Sequence, residues 1–262
     1  YNPQERRQNM KIGFTSTSFR QIKSIEKVVK IASASGAECI EWGGDIHVKD
    51  VPTAKRAKKL CDDAGIEISS YGSYYRVGSK KADEWKNICE IASAMCAKSI
   101  RVWLGNCDSE VTDKNTYKLL VEDGKSICSV AKEYGLIVCP ECHDKTFNNN
   151  TDAFLRIHND IGCDNFRTYF QSRYKKKDYD LDRLQRTLPY IESVHISYSE
   201  QSREQFPKLN PKYIDALLDK INSLNFDGNI LVEYTYFCCY AGFASSMKKS
   251  IAKIKAKVGN RK

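Results

Sequence analysis

The stretch "LIVCPECH" (136–143) begins as an apolar strand and ends in a carboxylate and an imidazole. Its first four residues suit a protein interior, whereas Glu141 and His143 are polar groups that a core accepts only with partners. Two other stretches share the pattern, "SVHISY" (193–198) and "ILVEYT" (230–235). Strands that run from an apolar interior into polar groups predict a site at one edge of a sheet.

The same organisation recurs along the whole chain. A helical pattern ends near a glycine, a short apolar strand follows, and a polar loop comes next; in "QIKSIEKVVKIA" (21–32) the apolar residues have the spacing of one helix face. We predict eight strands: "KIGF" 11–14, "CIEW" 39–42, "IEISS" 66–70, "SIRVW" 99–103, "LIVCPE" 136–141, "FRTYFQ" 166–171, "SVHIS" 193–197 and "ILVEY" 230–234.

Eight βα units in a chain of 262 residues predict an α/β protein with a closed (β/α)8 barrel, the TIM-barrel architecture. The alternative is an open, doubly wound sheet. Such a sheet usually carries a glycine-rich phosphate loop after its first strand, where this chain has "TSTSF" (15–19). We therefore predict a single barrel domain over residues 10–262, preceded by an N-terminal tail, 1–9.

Composition narrows the functional classes. The net charge of +9 raises the prospect of an anionic partner, although runs such as "KRAKK" (55–59) are typical of solvated helix faces. No apolar run reaches the length of a membrane span, so we expect no membrane partner.

Eleven cysteines, mostly within apolar runs, indicate buried thiols in a reducing cytoplasm. The CxxC at 139–142 ends a strand, which fits neither a redox motif nor a zinc ribbon well.

Polar residues gather where the last four strands end. In a barrel of this type the C-terminal strand ends meet at one face, which brings together Glu141, Gln171, His195 and Glu233. Singly, such residues are often salt-bridged or satisfied core groups. Together, however, two buried carboxylates would repel each other unless a cation neutralised them. The set predicts one divalent metal ion, Mn²⁺, Mg²⁺, Co²⁺ or Zn²⁺.

These strand ends, with "ECIEWGGDIHV" (38–48), "PECH" (140–143) and "LVEYT" (231–235), resemble the xylose isomerase-like barrels. More closely, the chain resembles their sugar phosphate isomerase/epimerase branch, which includes ketose 3-epimerases. The resemblance implies a sugar or sugar phosphate substrate. It also implies that Glu141 and Glu233 transfer protons next to a carbonyl and, with Gln171 and His195, ligate the metal. The substrate pocket is then expected to include Trp42, His47, Trp103, His143 and Arg203.

The chain departs from the family at strand 6. The family usually has Asp there, followed three residues later by His, whereas this chain has Gln171 and, three positions on, Tyr174. An amide oxygen can still bind a cation, but the site has one negative charge fewer. Weaker metal binding is therefore expected. Without the histidine, which usually contacts the substrate, the identity of the substrate stays open.

Two rival functions follow from the same residues. Apurinic-site endonucleases of this superfamily use three zinc ions, which the four histidines of this chain are too few to support, so we do not expect nucleic acid as a partner. A barrel that binds a sugar or a partner protein without catalysis would explain the glutamine at strand 6. Whether the chain forms a homo-oligomer is left open by the sequence.

Overall fold

The computed structural model describes residues 10–172, 177–196, 211–233 and 240–258. Eight strands form one parallel sheet in the order β5-β4-β3-β2-β1-β8-β7-β6. The strands are β1 (Ile12–Thr15), β2 (Cys39–Gly43), β3 (Glu67–Val77), β4 (Ser99–Leu104), β5 (Ile137–Pro140), β6 (Thr168–Gln171), β7 (Ile191–Ile196) and β8 (Asn229–Val232). Each overlaps one predicted strand. The third runs well beyond its predicted end, because after an irregularity between Gly72 and Arg76 it pairs with β4 again.

The sheet closes on itself. Isolated bridges join Val138 to Phe166 and Glu141 to Tyr169, which connects the β5 edge to the β6 edge. A helix follows each strand in the chain: α1 (Ile25–Ser35), α2 (Val51–Asp63), α3 (Ala82–Ala94), α4 (Lys114–Glu133), α5 (Thr151–Ile161), α6 (Lys177–Thr187), α7 (Pro211–Ser223) and α8 (Tyr240–Val258). The fold is the predicted (β/α)8 barrel.

Local sequence explains how these helices begin and end. Ser24 starts α1 by accepting a hydrogen bond from the Lys27 amide, and Gly36 ends it in the left-handed conformation at φ +72°. The helix before β4 has no such glycine, and there Cys96 takes the left-handed conformation at φ +56°. A side chain is strained in this region, so that helix ends at a backbone cost that glycine avoids elsewhere.

A small apolar layer lies inside the barrel, separate from the main core beneath the helices. It consists of the fully buried Cys39, Cys139, Tyr169 and Leu231. Because side chains alternate along a strand, the residue two positions further on lies on the same face, nearer the C-terminal end. Those residues are Glu41, Glu141, Gln171 and Glu233. The apolar layer therefore serves as the floor of a polar one.

Candidate metal centre

Two carboxylates and one imidazole converge above this floor. Glu141, His195 and Glu233 each offer a ligand atom within 4.8 Å of the others. The Nδ1 atom of His195 lies 3.2 Å from Oε1 of Glu141 and 3.6 Å from Oε2 of Glu233. These oxygen and nitrogen atoms are of the types that bind Mn²⁺, Co²⁺ or Zn²⁺.

Gln171, at the end of β6, joins the cluster. Its Nε2 atom donates a hydrogen bond of 3.1 Å to Oε2 of Glu233. Its carbonyl oxygen Oε1 is buried and has no hydrogen-bond partner among the described residues. Because a buried acceptor without a partner is costly, this oxygen fits a cation beside it. The structure thus brings together the four residues that the sequence predicted as metal ligands.

Two charged residues of the polar layer, Glu41 and Arg101, were not among the site residues predicted from the sequence. Arg101 of β4 places Nε 3.1 Å from Oε1 of Glu41 and Nη1 2.6 Å from Oε2 of Glu141. The arginine is 3% exposed, and the two glutamates are 0% and 3% exposed. Gly72 leaves room for the guanidinium, since a Cβ atom there would lie 2.7 Å from Nη2 of Arg101. The buried guanidinium of Arg101 therefore bridges two buried carboxylates.

The pKa values of this cluster are strongly shifted. Burial raises the pKa of Glu141, but the charge of Arg101 and the charge and hydrogen bond of His195 together lower it to about 2. Burial likewise raises the pKa of Glu41, whereas Arg101 and His195 lower it, and the result is a pKa below the ordinary value. Burial lowers the pKa of His195, whereas the carboxylates of Glu41, Glu141 and Glu233 together raise it to about 10. Burial raises the pKa of Glu233 above its usual range.

Trp103 and His143 lie at the rim of the cluster. The indole Nε1 atom of Trp103 donates a hydrogen bond of 3.0 Å to Oε2 of Glu141. The His143 ring stacks on this indole at a centroid distance of 5.0 Å, and the Arg76 guanidinium lies 4.2 Å from the centroid of the Trp103 ring. With partners already stacked on its ring, Trp103 is arranged to hold Glu141 through its edge.

The structure does not bring Trp42 and His47 to the cluster. Trp42 follows Glu41 on β2, so its side chain takes the opposite face and is fully buried in the main core. His47 places Nδ1 3.0 Å from the Ser16 hydroxyl and Nε2 2.7 Å from the carbonyl oxygen of Ile22. Both residues support the fold around β1 and β2. Arg203, the remaining predicted pocket residue, lies outside the described residues.

The alternation of side chains along a strand is the sequence signal that identifies Glu41 and Arg101. Glu41 stands two positions after Cys39 on β2, and Arg101 two positions after Ser99 on β4. Both starting residues are small and fully buried. The same two-residue step separates Cys139 from Glu141, which the sequence did single out. Glu41 and Trp42 are adjacent, and only this parity distinguishes the site residue from the core residue.

Comparison with known proteins agrees with this fold. A D-psicose 3-epimerase solved in the presence of D-fructose superimposes with a TM-score of 0.77 at 15% identity, over 96% of this chain and 100% of that chain. An L-ribulose 3-epimerase gives a TM-score of 0.75 at 12% identity, over 95% of each chain. The probable 3-DHS dehydratase of petrobactin synthesis from Bacillus anthracis gives 0.75 at 18% identity, over 97% of this chain and 100% of that chain.

Identities this low show a shared fold and leave the activity of the chain open. No curated protein matches the chain in sequence. Within the described ranges, none of the helices is both long enough and apolar enough to span a membrane. The sequence profile described as a xylose isomerase-like TIM barrel matches residues 29–257, which is most of the chain. The chain belongs to the xylose isomerase-like TIM barrel family.

Proposed function

We propose that this protein is a metal-dependent isomerase or epimerase that acts on a sugar or sugar phosphate. The observation that carries the proposal is the convergence of Glu141, His195 and Glu233, with the partnerless amide oxygen of Gln171, at the C-terminal end of the barrel. Barrels of this type hold their reacting groups at that end. Structural relatives that carry sugar epimerase names support a sugar substrate.

The proposed chemistry is proton transfer at a carbon next to a carbonyl. Glu141 and Glu233 act as the acid/base pair, because each carboxylate belongs to the same cluster and one proton must be removed and one returned. A bound divalent cation supplies Lewis-acid stabilisation of the negative charge that develops on the substrate oxygens. Gln171 and His195 complete its ligand set. Trp103 orients Glu141 through the hydrogen bond from its indole.

The number of metal-binding groups supports one cation over three. Within residues 10–172, 177–196, 211–233 and 240–258, a single group of His, Cys, Asp or Glu has ligand geometry. An endonuclease centre with three zinc ions needs several more such ligands. The proposal therefore keeps a small molecule as the partner. A cytoplasmic location is part of the proposal, supported by the free thiols of the described cysteines, most of them buried.

One observation favours a second candidate, a sugar-binding barrel without catalysis. Arg101 pairs with both Glu41 and Glu141, and His195 contacts Glu41, Glu141 and Glu233. Such a cluster carries its own counter-charges, so the carboxylates do not depend on a metal ion for neutralisation. The two candidates differ in whether the protein binds a cation and exchanges a proton at a sugar carbon.

The deciding experiment measures bound metal first. Wild type and His195→Ala are dialysed against trace Mn²⁺, Mg²⁺, Co²⁺ and Zn²⁺, and metal content is read by mass spectrometry. His158→Ala is the matched control, because His158 lies on α5, away from the cluster, and packs against Tyr190. We expect about one equivalent in wild type and the control, with loss in His195→Ala. Absence of metal from wild type would contradict the proposal.

Proton exchange then tests catalysis. A panel of ketoses and their phosphates is incubated with the metal-loaded protein in D₂O, and loss of the proton next to the carbonyl is followed by NMR. Glu141→Gln and Glu233→Gln should abolish exchange while circular dichroism shows an intact fold. Metal binding without exchange on any sugar would favour the binding barrel, and wild-type rates in either variant would refute the acid/base assignment.

A further inference from the structure

We propose that Glu41 is a positioning residue, which holds His195 so that its Nδ1 atom faces the metal site. The inference deepens the proposed function and rests on it. The Nε2 atom of His195 lies 3.3 Å from Oε2 of Glu41, on the side of the ring opposite to Glu141. Glu41 reaches the histidine from β2, whereas the four predicted ligands come from strands β5 to β8 and their ends.

The two nitrogens of His195 face different groups. Nδ1 lies 3.2 Å from Glu141 and 3.6 Å from Glu233, the two carboxylates of the metal centre. Nε2 faces only Glu41 among these carboxylates. A histidine that binds a metal uses one nitrogen as ligand and carries a proton on the other, and the acceptor of that proton decides which is which. Glu41 is that acceptor, so Nδ1 is the ligand.

Glu41 is itself held in place by other side chains. Oε1 accepts a hydrogen bond of 3.1 Å from Nε of Arg101, and Oε2 accepts one of 3.1 Å from the Ser70 hydroxyl. The carboxylate is fully buried, so neither oxygen exchanges these partners for solvent. Three strands, β2, β3 and β4, thus fix the oxygen that the imidazole meets. The Tyr169 ring lies 5.1 Å from the His195 ring and nearly perpendicular to it, so it restricts the orientation of the imidazole from another side.

A simpler role for Glu41 makes a different prediction. If Glu41 served only to balance the charge of Arg101, its removal would lower stability and leave metal affinity unchanged. If it positions His195, removal weakens metal binding even when the protein remains folded. Loss of such an outer partner typically reduces metal affinity about 10- to 100-fold. Metal affinity therefore separates the two roles.

The test compares Glu41→Gln with Glu67→Gln in the full chain. Glu67 begins β3 at the opposite end of the barrel and pairs with Lys11 and Lys98 at the surface, so its substitution controls for loss of a carboxylate. Mn²⁺ binding is measured by calorimetry, and thermal melts check folding. We expect Glu41→Gln to bind Mn²⁺ about 10- to 100-fold more weakly and Glu67→Gln to match wild type. Ser70→Ala, which removes one donor to Glu41, should give a smaller loss.

Nitrogen NMR of zinc-loaded protein, labelled at histidine, supplies a readout that a purely structural role would not change. In wild type we expect zinc on Nδ1 of His195, a proton on Nε2, and a downfield resonance for that proton because it is bonded to a carboxylate. The resonance should move upfield in Glu41→Gln. Zinc on Nε2, or equal Mn²⁺ affinity in wild type and Glu41→Gln, would overturn this role alone. Absence of metal binding in wild type would overturn it together with the proposed function.

Discussion

The guanidinium of Arg101 lies 2.6 Å from a carboxylate oxygen of Glu141, and the two residues are each only 3% exposed. The same guanidinium contacts Glu41 at 3.1 Å. Arg101 thus joins β2, β4 and β5 across the open end of the barrel. An arginine in this position makes it possible for two carboxylates to stay ionised within a buried site, because its positive charge compensates the hydration that the carboxylates lose on burial.

Replacement of Arg101 by methionine should destabilise the metal-free protein strongly. It leaves Glu41 and Glu141 buried without their main counter-charge, which typically costs about 3–5 kcal/mol. Chemical denaturation measures the loss in the free energy of unfolding. Arg56→Met is the matched control, because Arg56 pairs with Glu26 at an exposed site, where such a pair contributes about 1 kcal/mol or less. Equal losses in the two variants would refute the role assigned to Arg101.

Gln171→Glu should strengthen metal binding and weaken the metal-free fold. The new carboxylate stands beside Glu233, whose Oε2 now lies 3.1 Å from the Gln171 amide nitrogen. Two adjacent carboxylates repel without a cation and attract one more strongly, so we expect about tenfold tighter Mn²⁺ binding. Gln185→Glu, at an exposed position of α6 beside Lys220, is the control and should leave Mn²⁺ affinity unchanged. Weaker Mn²⁺ binding by Gln171→Glu would argue against residue 171 as a ligand.

The floor of the site should be sensitive to truncation. Leu231 is fully buried in the layer inside the barrel, and Leu231→Ala removes packing atoms that the closed sheet has little freedom to replace. Buried Leu→Ala changes typically cost about 2.7–5 kcal/mol. Leu119→Ala, at a side chain that is 41% exposed on α4, should change the unfolding free energy by less than about 1 kcal/mol. Similar losses in the two variants would place Leu231 outside the packed interior.

Thiol reactivity should follow burial. Burial raises the pKa of Cys61 to about 11 and that of Cys89 to about 12, so at neutral pH very little of either residue is in the reactive thiolate form. Cys96 is exposed. Iodoacetamide labelling followed by peptide mass spectrometry should modify Cys96 before Cys61 and Cys89, and these two buried thiols should gain reactivity as the pH approaches 11 or the protein unfolds. Equal labelling rates in the native protein near neutral pH would contradict the buried placement.

The positions of strands and helix ends along the chain depend largely on local sequence, and for that reason they were predictable. The eight strands were each visible as a short apolar run, and Gly36 marked the end of α1 because only a residue that tolerates positive φ closes a helix there. The four proposed ligands were also visible, since closure of a barrel brings strand ends together whatever the details of packing. Family and fold were therefore within reach of the amino-acid sequence.

The partners of each site residue depended on the tertiary structure. Glu41 and Trp42 are neighbours in the chain, yet one faces the candidate metal centre and the other the core, because the register of β2 sets which face points inward. Arg101 meets Glu41 and Glu141 only because the curved sheet brings β2 and β5 within reach of β4. Local sequence patterns were enough to predict a barrel with a polar open end. Long-range packing decided which charges meet there, since contacts between distant strands leave no local pattern in the chain.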